Sequence, residues 1–421
     1  MTPDLIAVVA FASLFVLVLL RVPIGIAMGV VGFAGVAMMT STNTALSMLA
    51  LGPIRSATDY SLALIPLFIL MGAVAGASGM NTELYRAANA WLGHRRGGLA
   101  MSTIAACGGF AAISGSSVAT AATMAKVALP EMKRYGYPDT IATGTVAAGG
   151  TLGILIPPSV ILAVYGILTE QDIGKLFVAG LIPGLVAIAL YMVTVRIYFA
   201  LYGSAIPTQP RAPWSERIAA MRGIWAIGLL FAGVIFGLYG GVFTPSEAAA
   251  MGAIGAIAIG ALRGKLGLRT FYGCLVDSIQ VSAGIFLILI GASVFGMFLT
   301  LTRVPQKLAA TLLEWDLGAY PTLFVILAFL ILLGCLLDAM AMMILMVPIL
   351  FPVIVALEFD PIWFGIIMVL TVELALITPP VGLNVFVLLS LAPNVSITTI
   401  YRGVMPFVAA DVVRLGILIA F

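Results

Sequence analysis

Long apolar runs recur along the whole chain, separated by short stretches that contain glycine, proline or charge. A helix needs about 20 predominantly apolar residues to cross a bilayer, and ten runs come near or exceed that length. These predicted crossings lie near 5–20, 24–40, 60–80, 140–168, 176–202, 223–241, 245–262, 281–301, 361–391 and 404–421. Two more polar stretches, 41–58 and 264–280, have mixed faces and predict helices that lie along the membrane surface. The pattern predicts an all-α polytopic membrane protein.

One apolar segment, 99–130, does not fit a simple crossing. It is too long for one upright span and too short for two, and its centre contains Ser114, Ser116 and Ser117. Basic residues stand on both sides of it, and Lys and Arg favour the cytoplasmic side of a membrane. We therefore expect a re-entrant hairpin of two short helices, whose tip is buried in protein or lines a cavity.

A second unusual segment, 320–357, has a polar break near its centre that includes Asp338. Acidic residues, among them Asp316, flank this segment on both sides. No basic residue lies between Lys307 and Arg402. This charge pattern predicts a hairpin that enters from the opposite, periplasmic side.

An internal repeat relates the two halves of the chain. Pro-Pro pairs occur in both halves, and Pro158 and Pro380 are 222 residues apart. Three other pairs recur at offsets of 222 or 223, namely Pro23 with Pro245, Gly180 with Gly403, and Pro183 with Pro406. An odd number of crossings separates equivalent points, so the repeats are predicted to have inverted topology.

The repeat gives a predicted domain organisation. The first repeat spans 1–202 and contains the hairpin 99–130 and a broken helix over 139–168. A linker is expected over 203–222. The second repeat spans 223–421 and contains the hairpin 320–357 and a broken helix over 361–391. Inverted repeats with interrupted apolar segments are typical of secondary transporters that bind their substrate near the membrane midplane.

The Pro-Pro pairs at 157–158 and 379–380 are predicted to break their helices inside the membrane. Proline has no amide hydrogen and clashes with the preceding turn, so each pair frees several backbone carbonyls. Freed carbonyls suit a monovalent cation such as Na⁺, and the amide end of the resuming half-helix suits an anion. The simpler alternative is that each pair only kinks a transmembrane helix.

The polar side chains expected at membrane depth have two interpretations each. The serines of the first tip could be ligands, or small residues at a tight helix contact. Asp338 at the second tip is expected to face a bound cation, since ionisable groups in membranes usually mark an ion path or a paired charge. Glu373 could face the same cavity or cap a scaffold contact. Asp411 and Arg414 lie three residues apart and predict a structural ion pair.

Composition removes other classes of protein. Only 9% of the residues are charged, whereas a soluble domain has about 25%. The chain has one histidine, His94, and three dispersed cysteines, which makes a metal cage of thiolates or imidazoles implausible. It also lacks the glycine-rich loop that holds phosphates in ATPases. An intramembrane enzyme stays only as a remote alternative.

Four motifs resemble the large membrane subunit of TRAP (tripartite ATP-independent periplasmic) transporters. They are SGSSVATAATM at 114–124, LPEMKRYGYP at 129–138, GGTLGILIPPS at 149–159 and ELALITPPVGLN at 373–384. The resemblance implies a multi-pass elevator-type carrier of the ion transporter superfamily in the bacterial inner membrane. Such a carrier uses a sodium gradient to take up a small carboxylate or sulfonate from a periplasmic binding protein. A small four-helix membrane subunit is the other implied partner, as a separate chain.

The resemblance also implies two sodium sites and no catalytic residue. The first site would be framed by Ser114, Ser116, Ser117, Gly149, Gly150, Gly153, Pro157 and Pro158. The second would be framed by Asp338, Thr378, Pro380, Val381, Gly382 and Asn384. The substrate carboxylate would lie between the hairpin tips. A stand-alone sodium/dicarboxylate-type carrier that needs no binding protein is the alternative function.

Overall fold

The computed structural model describes residues 2–202, 208–314 and 318–420, and these residues form helices and turns without a β-strand. The first ten helices are α1 (Pro3–Leu19), α2 (Ile24–Met39), α3 (Thr42–Thr58), α4 (Leu64–Ala77), α5 (Met80–Leu92), α6 (Gly98–Ser114), α7 (Ser117–Arg134), α8 (Asp139–Thr151), α9 (Val160–Thr169) and α10 (Ile173–Tyr202). The next ten are α11 (Trp214–Gly223), α12 (Trp225–Tyr239), α13 (Pro245–Leu262), α14 (Leu268–Thr302), α15 (Val304–Glu314), α16 (Ala319–Gly334), α17 (Ala339–Ala356), α18 (Pro361–Ile377), α19 (Leu383–Leu391) and α20 (Ile397–Ala420). The all-α class predicted from the apolar runs is confirmed.

Six of the described helices are long and apolar enough to cross a membrane. They are α10, α13, α14, α17, α20, and α4 together with the short 3₁₀ turn before it; the bent pair α11 and α12 would make a seventh. This number is smaller than the ten predicted crossings, because other apolar runs form helices of 17 residues or fewer. Broken helices account for part of the difference.

The predicted surface helix over 264–280 is wrong, because residues 268–302 form one continuous helix of 35 residues, α14. No proline interrupts this stretch. Its polar residues Asp277, which is exposed, and Ser278, which is buried, line a partly open cavity between α14 and the first hairpin, so this part of the helix has a polar surrounding. The other polar stretch forms the separate helix α3.

Two helix–turn–helix units form the hairpins. In the first, Gly115 and Ser116 join α6 to α7, and Gly115 has a φ of 59°, in the left-handed region that favours glycine. Helix α7 passes through Pro130 and ends at Arg134, so this hairpin extends beyond its predicted end at 130. In the second, residues 335–338 join α16 to α17.

Two helices are broken rather than kinked. Between α8 and α9 the chain makes a short 3₁₀ turn and then leaves helical structure, and between α18 and α19 it leaves helical structure over 378–382. Each gap contains a Pro-Pro pair with a cis peptide bond, at 157–158 and at 379–380.

Glycines allow the closest helix crossings. Helix α8 crosses α20 where Gly144 meets Gly403, and a Cβ at Gly403 would lie 3.2 Å from the Gly144 Cα. Helix α2 crosses α14 where Gly32 meets Phe295, and a Cβ at Gly32 would lie 2.7 Å from the Phe295 Cα. The first crossing joins α8, which leads into the first break, to α20, and the second joins two helices that form neither a hairpin nor a break.

The predicted linker over 203–222 is structured in its second half. Helix α11 begins at Trp214, and the buried Arg217 packs against the indole rings of both Trp91 and Trp214, 5.5 and 5.3 Å from their centres. Residues 203–207 of the linker lie outside the described residues, as do Asp316, in the acidic flank of the second hairpin, and residue 421.

Candidate functional site

A cavity of about 410 Å³ separates the hairpins and breaks from α2, α4 and α14. Its wall includes 115–118 and 338–340 from the two tips, and Ile154, Val160 and Leu383 from the regions of the two breaks. The facing wall is apolar and comes from α2, α4 and α14. Parts of both sequence repeats therefore meet at one cavity.

Four helices of the hairpins and breaks begin at this cavity, and α2 begins at its facing wall. Ser117, Val160, Ala339 and Leu383 are the first residues of α7, α9, α17 and α19, and all four line it. The first amides of a helix have no partner within the helix and form the positive end of its dipole. These ends contribute positive potential to a cavity whose described lining contains Asp338 as its one charged side chain and no Lys or Arg.

Local hydrogen bonds hold the serines of the first tip. The Ser116 hydroxyl accepts a hydrogen bond from the Ala119 amide at 3.4 Å and caps α7. The hydroxyls of Ser114 and Thr120 share a hydrogen bond of 2.6 Å. Ser116 and Ser117 line the cavity, whereas Ser114 lines a second cavity that Ser116 also borders.

The first break lies tightly against the first hairpin. A Cβ at Gly149, Gly150 or Gly153 would come within 3.0 Å of atoms in α6, α7 or the turn between them. Close packing therefore explains these glycines without a ligand. Pro157 and Pro158 do not line the cavity in the described structure, although the Pro158 carbonyl would be 3.1 Å from a Cβ at Gly115.

Asp338 at the second tip is exposed and lines the cavity. Its Oδ1 accepts hydrogen bonds from the amides of Met340 at 3.0 Å and Ala341 at 3.1 Å, so the carboxylate caps α17. Both bonds use the same oxygen. Oδ2 takes part in neither of them and can accept a ligand.

The second break is tied to α20. The Tyr401 hydroxyl lies 2.7 Å from the carbonyl oxygens of both Pro380 and Val381. Gly382, with a φ of 60°, then leads into α19. None of these residues lines the cavity in the described structure, but the second break packs against the second tip, because the Cys335 thiol, three residues before Asp338, lies 3.4 Å from the Pro379 carbonyl oxygen.

Thr378 and Asn384 bond to the protein. The Thr378 hydroxyl donates to the Leu374 carbonyl at 2.5 Å. The Asn384 amide nitrogen donates to the Ala147 carbonyl at 3.2 Å and so connects α19 to α8. Its amide oxygen is buried without a partner among the described residues. Of the predicted ligands, the cavity thus collects Ser116, Ser117 and Asp338, and the assignment of both sodium sites stays a prediction.

A second cavity, of about 490 Å³, borders the other side of the first tip and contains a basic group that sequence reasoning missed. Ser116, Ala119, Thr123 and Lys126 line it from α7, opposite Asp277 of α14. Their spacing of three or four residues marks one face of a helix, and that face could have been found from the sequence.

A buried charge cluster joins four helices, and the sequence indicated only one pair of it. Arg414 Nη2 lies 2.6 Å from Glu373 Oε2 and 2.9 Å from Asp411 Oδ1, so the expected pair of Asp411 and Arg414 is present. The Tyr191 hydroxyl reaches both oxygens of Asp411, at 2.9 and 2.8 Å. Thr151, the last residue of α8, lies 3.3 Å from that hydroxyl. Glu373 therefore does not line the cavity, and its contact is the buried ion pair with Arg414 of α20.

Comparison with known sequences decides the family. Residues 11–421 match the sequence profile of the DctM component of tripartite ATP-independent periplasmic transporters. The chain belongs to this family. It is 39% identical over 342 residues to the C4-dicarboxylate TRAP transporter large permease protein DctM of Pseudomonas aeruginosa, covering 80% of this chain and 79% of that one. It is 33% identical over 409 residues to the isethionate TRAP transporter permease protein DctMQ of Oleidesulfovibrio alaskensis, covering 95% of this chain and 63% of that one.

A solved structure shares the fold. The YdaH transporter of Alcanivorax borkumensis, whose crystal structure shows an unusual topology, superposes with a TM-score of 0.64 at 16% sequence identity. The superposition covers 89% of this chain and 88% of that one. As a TRAP large permease, the chain is a multi-pass protein of the bacterial inner membrane, and the family consists of transport permeases rather than enzymes.

Proposed function

We propose that this TRAP permease uses a sodium gradient to take up a small organic anion, which a periplasmic binding protein delivers. The observation that carries the proposal is the convergence of the N-termini of α7, α9 and α19 on one cavity, beside α17, whose N-terminus Asp338 already caps. Such termini attract carboxylate and sulfonate groups. The named substrates of the two relatives, a C4-dicarboxylate and isethionate, belong to these chemical classes.

The sodium part of the proposal rests on the oxygen atoms at the same cavity. Asp338 offers Oδ2, and Ser116 and Ser117 lie in the lining of the same cavity with their hydroxyls as further oxygen ligands. An anion alone would lose its hydration in this largely apolar space, which costs several kcal/mol or more. Sodium ions bound nearby would compensate the charge of the anion, so the anion and Na⁺ would bind more strongly together than either would alone.

Movement of the hairpins and breaks past the other helices would alternate access to the cavity. The cavity lies at the boundary between these two groups of helices, so sliding at that boundary would carry a ligand bound to the tips. The small four-helix membrane subunit would complete the assembly beside the stationary helices.

Transport in proteoliposomes tests this function. The permease is reconstituted with its small subunit, and uptake of labelled C4-dicarboxylates and isethionate is measured with the cognate binding protein outside. Uptake is expected only with an inward Na⁺ gradient. Equal uptake with K⁺ alone would refute the sodium coupling, and undiminished uptake without the binding protein would favour the stand-alone carrier instead.

A further inference from the structure

The buried cluster of Glu373, Asp411, Arg414 and Tyr191 contains one more acid than base. The side chains of the three charged residues are between 0% and 2% exposed. With both carboxylates ionised, the cluster would carry one uncompensated negative charge. A buried charge without compensation is strongly destabilising, so a positive charge or a proton must accompany the cluster.

The opposite stoichiometry occurs elsewhere in the protein. Glu83 on α5 pairs with Arg263 at 2.5 Å and with Lys265 at 3.1 Å, near the protein surface. That single carboxylate has two cations, and its side chain is 21% exposed. It needs no further compensation and gives a natural control.

Hydrogen bonds distinguish the two acids of the cluster. Asp411 faces two donors, the Tyr191 hydroxyl and the Arg414 guanidinium, which stabilise its ionised form. Glu373 accepts one bond, from Arg414 to Oε2. Its Oε1 is buried and has no hydrogen-bond partner among the described residues. Arg414 uses Nη2 for both acids, and its guanidinium lies 5.9 Å from the Tyr191 ring centre.

We propose that this cluster is a proton-binding site and that Glu373 carries the proton at neutral pH. The titratable and charged groups that face Glu373 are Arg414 and Asp411 from α20 and Tyr191 from α10. Among the described residues, the other helices that pack against α18, namely α8, α9, α16, α17 and α19, place no ionisable side chain against Glu373. Protonation makes the cluster neutral, so that it can be buried within the helices that carry both breaks.

The position of the cluster connects the proton to the two breaks. The Tyr191 hydroxyl of the cluster contacts the hydroxyl of Thr151, the last residue of α8 before the first break. Glu373 itself lies on α18, one turn before Thr378 at the second break. The site is independent of the proposed sodium coupling, because it neither lines the cavity nor contacts Asp338.

Infrared spectroscopy of the full-length protein tests the proposal directly. A protonated carboxylic acid has a carbonyl stretch distinct from the bands of carboxylates. We expect this band in the wild type at neutral pH, its loss in Glu373→Gln, and its retention in Glu83→Gln. A spectrum without the band, or a band that survives in Glu373→Gln, would overturn the assignment.

Thermal stability gives a second readout that does not depend on transport. The neutral amide of Glu373→Gln keeps an acceptor for Arg414, so this variant should fold at neutral pH. The wild type should lose thermal stability as rising pH removes the proton from Glu373. Glu373→Gln has no such proton, so its stability should not fall for this reason as the pH rises. If the glutamate instead makes the wild type respond to Na⁺ and not to pH, the site binds a metal cation and the proton assignment is wrong.

Discussion

The crossing of α8 and α20 gives the sharpest test of the packing, through Gly403→Ala. A methyl group at this position would overlap the Thr140 carbonyl and lie 3.2 Å from the Gly144 Cα. These atoms belong to the backbone and cannot move away as a flexible side chain would. Helix α8 must therefore shift, and α8 ends at the first break.

The magnitude follows from overpacking in a close-packed interior, which costs about 1–3 kcal/mol. Gly416→Ala is the matched control, since it lies on the same helix and a Cβ there would meet nothing within 4 Å. Replacing glycine by alanine within a helix gains about 0.5–1 kcal/mol. The two variants should therefore change the free energy of unfolding in opposite directions.

Chemical denaturation of the purified protein in detergent, monitored by fluorescence or circular dichroism, measures both variants. Gly403→Ala is expected to be the less stable one and to transport more slowly, because the displaced α8 carries the glycines that contact the first hairpin. Equal stability of the two variants would show that α8 and α20 do not approach each other as closely as described.

Substitutions at three further sites test the two cavities and the second break. Asp338→Asn should keep the cap of α17 and the free energy of unfolding, but it should raise the Na⁺ concentration needed for half-maximal uptake. Asp338→Ala should show the same change in Na⁺ dependence and should also lose about 0.5–2 kcal/mol of stability. An unchanged Na⁺ titration in both variants would show that Asp338 is not part of the sodium site. Lys126→Gln should weaken anion uptake, because it removes a positive charge from the second cavity. The control Lys133→Gln lies on the same helix but outside that cavity and should not weaken uptake. Equal effects of the two variants would assign no special role to Lys126. Tyr401→Phe should lower the free energy of unfolding by about 0.5–1.5 kcal/mol, because the carbonyls at the second break lose their hydrogen-bond donor. Chemical denaturation measures this change. An unchanged free energy of unfolding would mean that water replaces the lost hydrogen bond.

Much of the fold could be predicted because local sequence signals encode it. Proline pairs break helices wherever they occur, and the pairs at 157–158 and 379–380 do so here. The polar tips at Ser116 and Asp338 begin α7 and α17 as N-caps, a role that both residue types favour. Local chemistry of this kind needs no knowledge of the partner helices.

Tertiary contacts were harder to predict. Glu373 and Arg414 are 41 residues apart and lie on different helices, and Tyr191 is 220 residues from Asp411. No periodicity in one segment indicates such a cluster. The length of α14 was missed for a related reason, because Asp277 lines a cavity that α14 shares with the first hairpin, and the sequence of α14 alone does not indicate that contact.

The most direct test of the central claim is the simultaneous flux of labelled Na⁺ and labelled anion into proteoliposomes that contain the complete complex. If the cavity at the two tips binds both species together, Na⁺ influx should accompany anion influx in a fixed ratio and should stop when either species is left out. Anion influx without Na⁺ influx would contradict coupled binding at this site.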